Sequence, residues 1–234
     1  MRLDKFLCDR NIGTRSQVKT YVRQGLVAVN GKPAQAPDQK INDLDDLVTF
    51  QGRRLRSGGF VYYMLNKPQG VVSATQDNRD TTVLELLKDC DLPRDGVFPV
   101  GRLDKDTEGL LILTDDGDMA HRLLSPKKHV DKTYLVTAKH PLSQEDIDRL
   151  EQGVDIGEER LTLPAKVKLK TDTQFFLTIH EGKFHQIKRM LQAVDNQVVA
   201  LKRIAFGGLT LDEKLQSGEY RELTKQEVAI LHEA

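Results

Sequence analysis

Residues 101–117 read GRLDKDTEGLLILTDDG, and the apolar residues Val97-Phe98-Pro99-Val100 lead into them. Gly109 precedes a run of four aliphatic residues, 110–113, and Asp116-Gly117 follows that run. The pattern predicts a strand, a polar loop over 101–109, and a buried strand that ends in a tight turn. A loop held between two buried strands is a rigid place to mount a reactive side chain.

Asp104 is the first carboxylate after the lead-in strand, and Arg102 precedes it by two residues. In an extended segment these two side chains point to the same side of the backbone. Most charged clusters of this kind, however, are solvated surface loops. The spacing therefore makes Asp104 a candidate and leaves its role open.

The composition indicates a globular chain whose charge is unevenly distributed. The 234 residues are 38% hydrophobic and include 35 basic and 35 acidic residues, so the net charge is zero. Residues 1–58 contain eleven Lys and Arg against six Asp, a net charge of +5, which leaves −5 for the remainder. The basic N-terminal segment favours an anionic partner.

Cys8 and Cys90 are far apart, and neither the cysteines nor the six histidines have a metal-ligand spacing. Isolated cysteines predict free thiols in a reducing compartment. The N-terminus lacks an apolar signal core, and no apolar run approaches membrane-spanning length. We therefore expect a cytoplasmic protein with no metal and no membrane partner. We also expect a monomer that needs no cofactor.

Residues 1–58 are predicted to form a small domain of two helices and a hairpin. Leu3, Phe6 and Leu7 share one face of the first helix, and Thr14 is placed to cap the second. The apolar face of the second helix consists of Val18, Tyr21 and Val22.

The hairpin is predicted from Asn30-Gly31, a pair typical of type I′ turns, and residues 47–50 predict a further strand. Residues 53–59 are basic and then glycine-rich, so we interpret them as the linker to a second domain, residues 60–234.

Three cations on the second helix, Arg15, Lys19 and Arg23, recur every four residues on the face opposite the apolar one. The usual interpretation of such a stripe is a solvated helix face. The alternative is a row of phosphate contacts, which would bind a nucleic acid without reading its sequence.

The second domain is predicted to be α+β, with a mainly antiparallel sheet flanked by helices. Predicted strands include residues 71–73 and 132–138, and residues 161–180 alternate as half-exposed strands do. Residues 183–194 predict a helix with Lys188 and Arg189 off its apolar face. That face would carry Phe184, Ile187, Leu191 and Val194.

The central stretch resembles the signature of the pseudouridine synthases. Three further stretches resemble the ribosomal branch of that family: MLNKPQG at 64–70, KTYLV at 132–136 and EGKFHQIKRM at 181–190. The N-terminal stretches RLDKFL at 2–7, TRSQV at 14–18 and GLVAVNG at 25–31 resemble an RNA-binding domain of the ribosomal-protein-S4 type. The resemblance covers nearly the whole chain, in the order that the family has.

The resemblance implies a cofactor-free isomerisation of uridine, with several side chains in named roles. The carboxylate of Asp104 would act on the ribose of a flipped-out nucleotide, as a nucleophile at C1′ or a base at C2′. Asp106, Asp115 and Asp116 are rivals by residue type; we place Asp115 and Asp116 at the predicted turn and treat Asp106 as a surface residue.

The supporting roles also come from the resemblance. Lys188 would pair with the catalytic carboxylate, although spacing does not decide between Lys188 and Arg189. Tyr134 would stack on the uracil, and Arg102 would fill the gap that the flipped nucleotide leaves. With the S4 likeness we favour RNA as the partner of the basic residues, which are Arg2, Lys5, Arg15, Lys19 and Arg23.

The compact length resembles the synthases that act on 16S ribosomal RNA, as naked RNA or as a partly assembled small subunit. An enzyme of the same branch that acts on 23S ribosomal RNA is the second reading. The third is a non-catalytic ribosome-assembly factor, which the presence of Asp104 and Tyr134 disfavours.

Overall fold

A computed structural model of the chain describes residues 1–10, 12–42, 45–55, 60–87, 96–125 and 128–234. These residues divide into two units. The first is Met1–Phe60 with the described part of Leu87–Val97, and the second is Val61–Leu86 with Phe98–Ala234. Cys90 and residues 56–59 of the predicted linker lie outside the described residues, so the predicted domain boundary stays a prediction.

The first unit packs two helices against a four-stranded sheet of order β2-β1-β3-β4. Its core includes Leu3, Phe6, Leu7, Val18 and Val22, which confirms the predicted apolar faces. Its elements are α1 (Leu3–Asp9), α2 (Arg15–Arg23), β1 (Val27–Val29), β2 (Lys32–Pro33), β3 (Val48–Phe50) and β4 (Arg53–Leu55).

Local chemistry sets the element boundaries in this unit as predicted. Thr14 and Gln17 form a reciprocal capping box at the start of α2. Asn30 and Gly31 both have positive φ, 52° and 77°, which is the backbone of a type I′ turn between β1 and β2.

The linker prediction is wrong for Arg53–Leu55, because these residues form β4 and pair with β3. Two features of the structure support this additional strand. The turn Gln51-Gly52 has positive φ at both residues, and the side chain of Leu55 is buried in the core of the unit.

The second unit is built on one large mixed sheet of order β13-β5-β7-β11-β8-β10-β9, with β6 added to β7 and β12 added to β11. Its strands are β5 (Tyr62–Lys67), β6 (Phe98–Pro99), β7 (Glu108–Thr114), β8 (Lys132–Ala138), β9 (Lys166–Leu169), β10 (Gln174–Ile179), β11 (Val198–Phe206), β12 (Leu209–Thr210) and β13 (Tyr220–Glu222). Within the described ranges, only β7 and β11 pair in parallel. The prediction of an α+β unit with a mainly antiparallel sheet is therefore confirmed.

Helices cover this sheet. They are α3 (Gly117–Leu124), α4 (Gln144–Gln152), α5 (Gln186–Ala193) and α6 (Lys225–Glu233), with a 3₁₀ turn at Val83–Leu86. One cluster of the core joins Met64 of β5 and Ile112 of β7 to Met119 and Leu123 of α3 and Leu231 of α6. The continuously apolar strand β7 lies inside the sheet, as the run 110–113 predicted.

Three details of the second unit differ from the sequence predictions. Residues 71–73 do not form a strand; Val72 makes only an isolated bridge to Thr82. Asp116-Gly117 is not a hairpin turn but the start of α3, because the Asp116 carboxylate caps the helix by accepting a hydrogen bond from the Met119 amide. Asp116 is also bonded to the hydroxyl of Tyr62, which accounts for its burial.

The third difference lies at the start of α5. The helix begins at Gln186 rather than Lys183, and His185 at its N-cap has a left-handed backbone with φ of 48°. Ile187, Leu191 and Val194 are buried as predicted, but the phenyl ring of Phe184 leaves the apolar face and is 74% exposed. The sequence prediction extended the helical spacing to residues that precede the N-cap, and it therefore placed Phe184 on the buried face.

Candidate active site

The loop that carries Asp104 is fixed by buried contacts on both sides. The Val100 amide donates to the Ile112 carbonyl at 2.8 Å, which ties the entry of the loop to β7. Next to Asp104, the buried Leu103 exchanges two hydrogen bonds with the Ser73 hydroxyl: its amide donates to Oγ at 3.1 Å and its carbonyl accepts from it at 2.9 Å. The position of the Asp104 backbone is thus set by core residues.

Lys67, at the end of β5, holds the other side of the loop. Its side chain is fully buried, and Nζ donates to the carbonyls of Asp104 at 3.0 Å and Thr107 at 2.9 Å, and to Pro68 at 3.0 Å. Burial lowers the pKa of Lys67 to about 8, against the attraction of Asp106 and Asp104, which raises it. At neutral pH Lys67 is an ammonium group whose donors bind loop carbonyls.

A glycine is required where this loop enters β7. Gly109 has φ of 102°, and a Cβ atom there would lie 2.2 Å from the carbonyl oxygen of Arg203 in β11. The close approach of β7 and β11 also buries the Arg203 side chain, whose Nε donates to the Leu110 carbonyl at 2.8 Å.

Lys188 of α5 joins the loop to the helix. Its Nζ lies 3.2 Å from Asp104 Oδ2, and 2.6 and 2.9 Å from the two carboxylate oxygens of Asp106. Burial of the ammonium lowers the pKa of Lys188, but its hydrogen bonds to Asp106 and Asp104 outweigh burial, so the pKa is raised overall. Lys188 is therefore a permanent cation between two carboxylates.

Asp106 is a surface residue, as predicted, but its carboxylate is also the nearer partner of Lys188. The hydrogen bond from Lys188 lowers the pKa of Asp106 and outweighs the cost of partial burial. The side chain of Asp106 is 66% exposed against 31% for Asp104. Of the two carboxylates, Asp104 is the more enclosed.

Arg189, the other cation that spacing left open, points elsewhere. It pairs with Glu158 at 2.9 Å and donates to the backbone carbonyls of Phe184 and Ile156. His185 is the additional neighbour of the carboxylate, with Nε2 at 3.8 Å from Asp104 Oδ2.

Tyr134 is buried in β8, which is separated from β7 by the strand β11. It lies directly opposite Leu177 of β10 and Arg203 of β11, and Arg203 is in turn opposite Gly109. Within the described part of the chain, no side-chain hydrogen bond joins Tyr134 to Asp104 or Lys188. The structure thus brings Asp104 and Lys188 into contact and places Tyr134 in the neighbouring part of the sheet.

Arg102 is exposed, and among the described residues it forms no ion pair. A salt bridge from Arg102 to Asp106 or Glu108 would have indicated a purely structural role. The described residues contain no such salt bridge. Its guanidinium is available to a ligand in front of the loop.

The cations of the first unit fall into two groups. Arg15, Lys19 and Arg23 are exposed along α2, and the described residues give none of them a carboxylate partner within 4 Å. Arg2 pairs with Asp4 at 2.7 Å, and Lys5 pairs with Asp9 at 2.6 Å.

Three residues to which the sequence predictions gave no role lie at the candidate site: Lys67, Asp106 and His185. Lys67 lies in one of the matched motifs, but only the structure shows that it ends β5 and is buried, which is unusual for a lysine. His185 had no local signal, since its backbone conformation depends on where α5 starts.

Within the ranges that the structure covers, no three His, Cys, Asp or Glu side chains are grouped as ligands for an ion. Nor does any helix there combine the length and apolarity of a bilayer span.

Comparison with known protein families identifies the family to which the chain belongs. Residues 61–193 match the model of the RNA pseudouridylate synthases, and residues 1–48 match the S4 domain. The chain belongs to the RNA pseudouridylate synthase family. The four motifs of the sequence and the loop of Asp104 all lie within the matched residues.

Individual relatives cover the chain from end to end. An uncharacterized RNA pseudouridine synthase, YtzG, of Bacillus subtilis is 50% identical over 100% of this chain and 99% of its own length. The ribosomal small subunit pseudouridine synthases A of Vibrio cholerae and Escherichia coli are 43% and 42% identical, over 98% of this chain and 98% and 99% of theirs. A crystal structure of a pseudouridylate synthase, 40% identical, matches with a TM-score of 0.70 over 99% of both chains.

These findings confirm the predicted family and enzyme class. The chain is an isomerase that converts uridine to pseudouridine in RNA, and its N-terminal residues form an S4 RNA-binding domain.

Proposed function

We propose that the enzyme converts a uridine of 16S ribosomal RNA to pseudouridine, with the Asp104 carboxylate acting on the ribose of a flipped-out nucleotide. The observation that carries this proposal is the contact between Lys188 Nζ and Asp104 Oδ2 at 3.2 Å, on a loop fixed by Ser73 and Lys67. The neighbouring cation attracts the carboxylate and holds it in one orientation.

The reaction needs no external group. Asp104 either attacks C1′ and displaces uracil N1, or removes the C2′ proton so that the same bond breaks. The freed base turns within the site and its C5 forms the new bond to C1′. On the first route this breaks the ester bond between Asp104 and C1′; on the second, C2′ takes its proton back from Asp104. On both routes the C5 proton is lost and N1 gains one. The two routes for Asp104 stay open, since both need the same ionised oxygen.

Tyr134 and Arg102 have supporting roles in this proposal. Tyr134, which is buried in β8, stacks on the uracil and limits its movement while it is detached. Arg102 is exposed beside Asp104 in sequence, and its planar guanidinium replaces the stacking that the target nucleotide gives up.

The S4 domain would bind RNA through exposed cations. Arg15, Lys19 and Arg23 are the exposed donors on α2; Arg2 lies at the N-cap of α1 and Lys5 in its first turn. Contacts of this kind neutralise phosphates and give affinity without sequence readout. The target would therefore be chosen by the fold of the RNA and by the catalytic domain, in the cytoplasm, by an enzyme that acts as a monomer.

The small ribosomal subunit is the proposed substrate because the Vibrio cholerae and Escherichia coli relatives bear that substrate in their names and align with the whole chain. The test is to map pseudouridines in ribosomal RNA from cells with and without this gene. We expect one pseudouridine to disappear from 16S RNA. A loss from 23S RNA instead would assign the large subunit, and no loss at all would favour the assembly-factor reading.

A further inference from the structure

One aromatic ring beside the proposed catalytic carboxylate is exposed. Phe184 is 74% exposed, the highest value among the large apolar side chains of the described residues. Its ring stacks on the imidazole of His185, with 3.8 Å between ring centroids and 20° between ring planes. His185 Nε2 in turn lies 3.8 Å from Asp104 Oδ2. The outer face of Phe184 thus continues the surface of the active site.

The backbone under this ring is held rigidly. The Phe184 carbonyl accepts a hydrogen bond from Arg189 at 3.0 Å, and Arg189 is itself paired with Glu158. The buried Gln186 accepts from the Lys183 amide at 2.9 Å and donates to Glu181 at 2.8 Å, which closes the turn on both sides of Phe184. The left-handed backbone of His185 directs the ring away from the core. A fixed backbone that presents an exposed aromatic ring is the arrangement of a binding platform.

We propose that the outer face of Phe184 is a stacking subsite for a nucleobase of the RNA substrate, the base of a nucleotide next to the target uridine. A base is the occupant that fits the surroundings. The ribose of the target would lie at Asp104, so the adjoining nucleotides must pass close to His185 and Phe184. Every base presents a flat face, and stacking on an aromatic side chain supplies affinity without sequence selection. The inference rests on the proposed function, because it takes the position of the target from Asp104.

Fluorescence gives a direct test because the chain contains no tryptophan. In the variant Phe184→Trp the new indole is the sole tryptophan, and a base stacked on it quenches its emission. The matched control is Leu169→Trp, at a side chain that is 50% exposed on the edge strand β9, four strands along the sheet from β7. Both would be titrated with a 16S ribosomal RNA transcript in an Asp104→Asn background, so that no turnover intervenes.

We expect RNA to quench the tryptophan at position 184 and to leave the one at position 169 nearly unchanged. Equal responses at the two positions would overturn the stacking subsite. The outcome is separate from that of the proposed function: pseudouridine formed by the parent enzyme without quenching at 184 contradicts the subsite alone.

Kinetics provide the second readout. Replacing Phe184 by Ala should raise KM for the transcript roughly tenfold, the loss of one stacked base, while kcat falls much less. Phe184→Tyr should restore KM, and Phe184→Leu should not, because leucine keeps apolar area but lacks a flat face. Full rescue by Leu would contradict stacking. An effect of Phe184→Ala on partly assembled subunits but not on naked RNA would indicate a protein contact and would also overturn the proposal.

Discussion

The exposed cations of α2 and the enclosed Lys188 of α5 carry the same charge in opposite settings. Arg15, Lys19 and Arg23 extend into water, and the described residues give them no carboxylate partner. The side chain of Lys188 is only 23% exposed and lies within 3.2 Å of both Asp104 and Asp106. Cationic side chains therefore have different roles on α2 and on α5.

The two settings differ in the distance over which each charge acts and in how strictly its position is fixed. Charges exposed to water act over about one Debye length, roughly 8 Å at physiological salt, and each contributes about equally to a polyanion. A partly enclosed ammonium group acts on one oxygen atom, because its geometry is fixed and solvent screening is reduced. The contribution of the α2 cations should therefore be sensitive to salt, whereas that of Lys188 should be much less so.

The largest effect is expected at Lys188. The variant Lys188→Met leaves Asp104 and Asp106 facing each other without a cation, so we expect kcat to fall by about 10²-fold or more. Lys188→Arg should recover a large part of the activity because it restores the charge. Single-turnover assays of pseudouridine formation would measure both. Near-parental activity of Lys188→Met would show that Asp104 needs no cation.

A smaller and different effect is expected on α2. Replacing Arg15, Lys19 and Arg23 together by Gln should weaken RNA binding and reduce the slope of log Kd against log salt by about 2, that is, about 0.7 for each lost phosphate contact. The value of kcat at saturating RNA should change little. Binding would be titrated with a 16S transcript over a series of salt concentrations.

The control for this triple variant is Lys5→Gln in the same domain. The Lys5 ammonium is already paired with Asp9 at 2.6 Å, so its removal should alter the salt slope less than the removal of one α2 cation. An unchanged slope in the triple variant would exclude α2 from RNA binding.

The smallest effect is expected at Asp106. Asp106→Asn keeps the shape of the side chain and leaves Lys188 to Asp104, so we expect activity to change no more than a few-fold. Because the carboxylate is mostly exposed, its pair with Lys188 should add less than about 1 kcal/mol to the free energy of unfolding. The pKa of Asp106 is lowered in the folded state, so this stability is present above about pH 4 and is lost as the pH falls through the lowered pKa.

Denaturant unfolding at several pH values would measure this dependence. The parent and Asp106→Asn should differ slightly at pH 7 and converge in strong acid. A difference that grows toward low pH would contradict the assigned ion pair.

The sequence predicted those parts of the fold that depend on local chemistry. The Thr14 cap, the Asn30-Gly31 turn and the buried strand β7 follow from residues within one element, and the structure has all three. The family, the reaction and the S4 domain came from ordered motifs, which the comparisons confirm.

The remainder depended on contacts between distant segments. β4 is stabilised by Leu55, whose side chain reaches the core of its unit. Asp116, which caps α3, is held by a hydrogen bond from the hydroxyl of Tyr62, 54 residues earlier in the chain. The choice between Lys188 and Arg189 was open because both precede Met190 on one turn of helix; only the positions of Asp104 and Glu158 separate them. The left-handed backbone of His185, and with it the exposure of Phe184, has no signature in residue type.

The central claim is that the Asp104 carboxylate, and not its neighbour on the same lysine, performs the reaction. The direct measurement is pseudouridine formation on a 16S transcript by Asp104→Asn beside Asp106→Asn, with RNA binding measured for each. The account predicts that both variants bind RNA like the parent, that Asp106→Asn remains active, and that Asp104→Asn forms no pseudouridine. Retained turnover in Asp104→Asn, or its loss in Asp106→Asn alone, would contradict it.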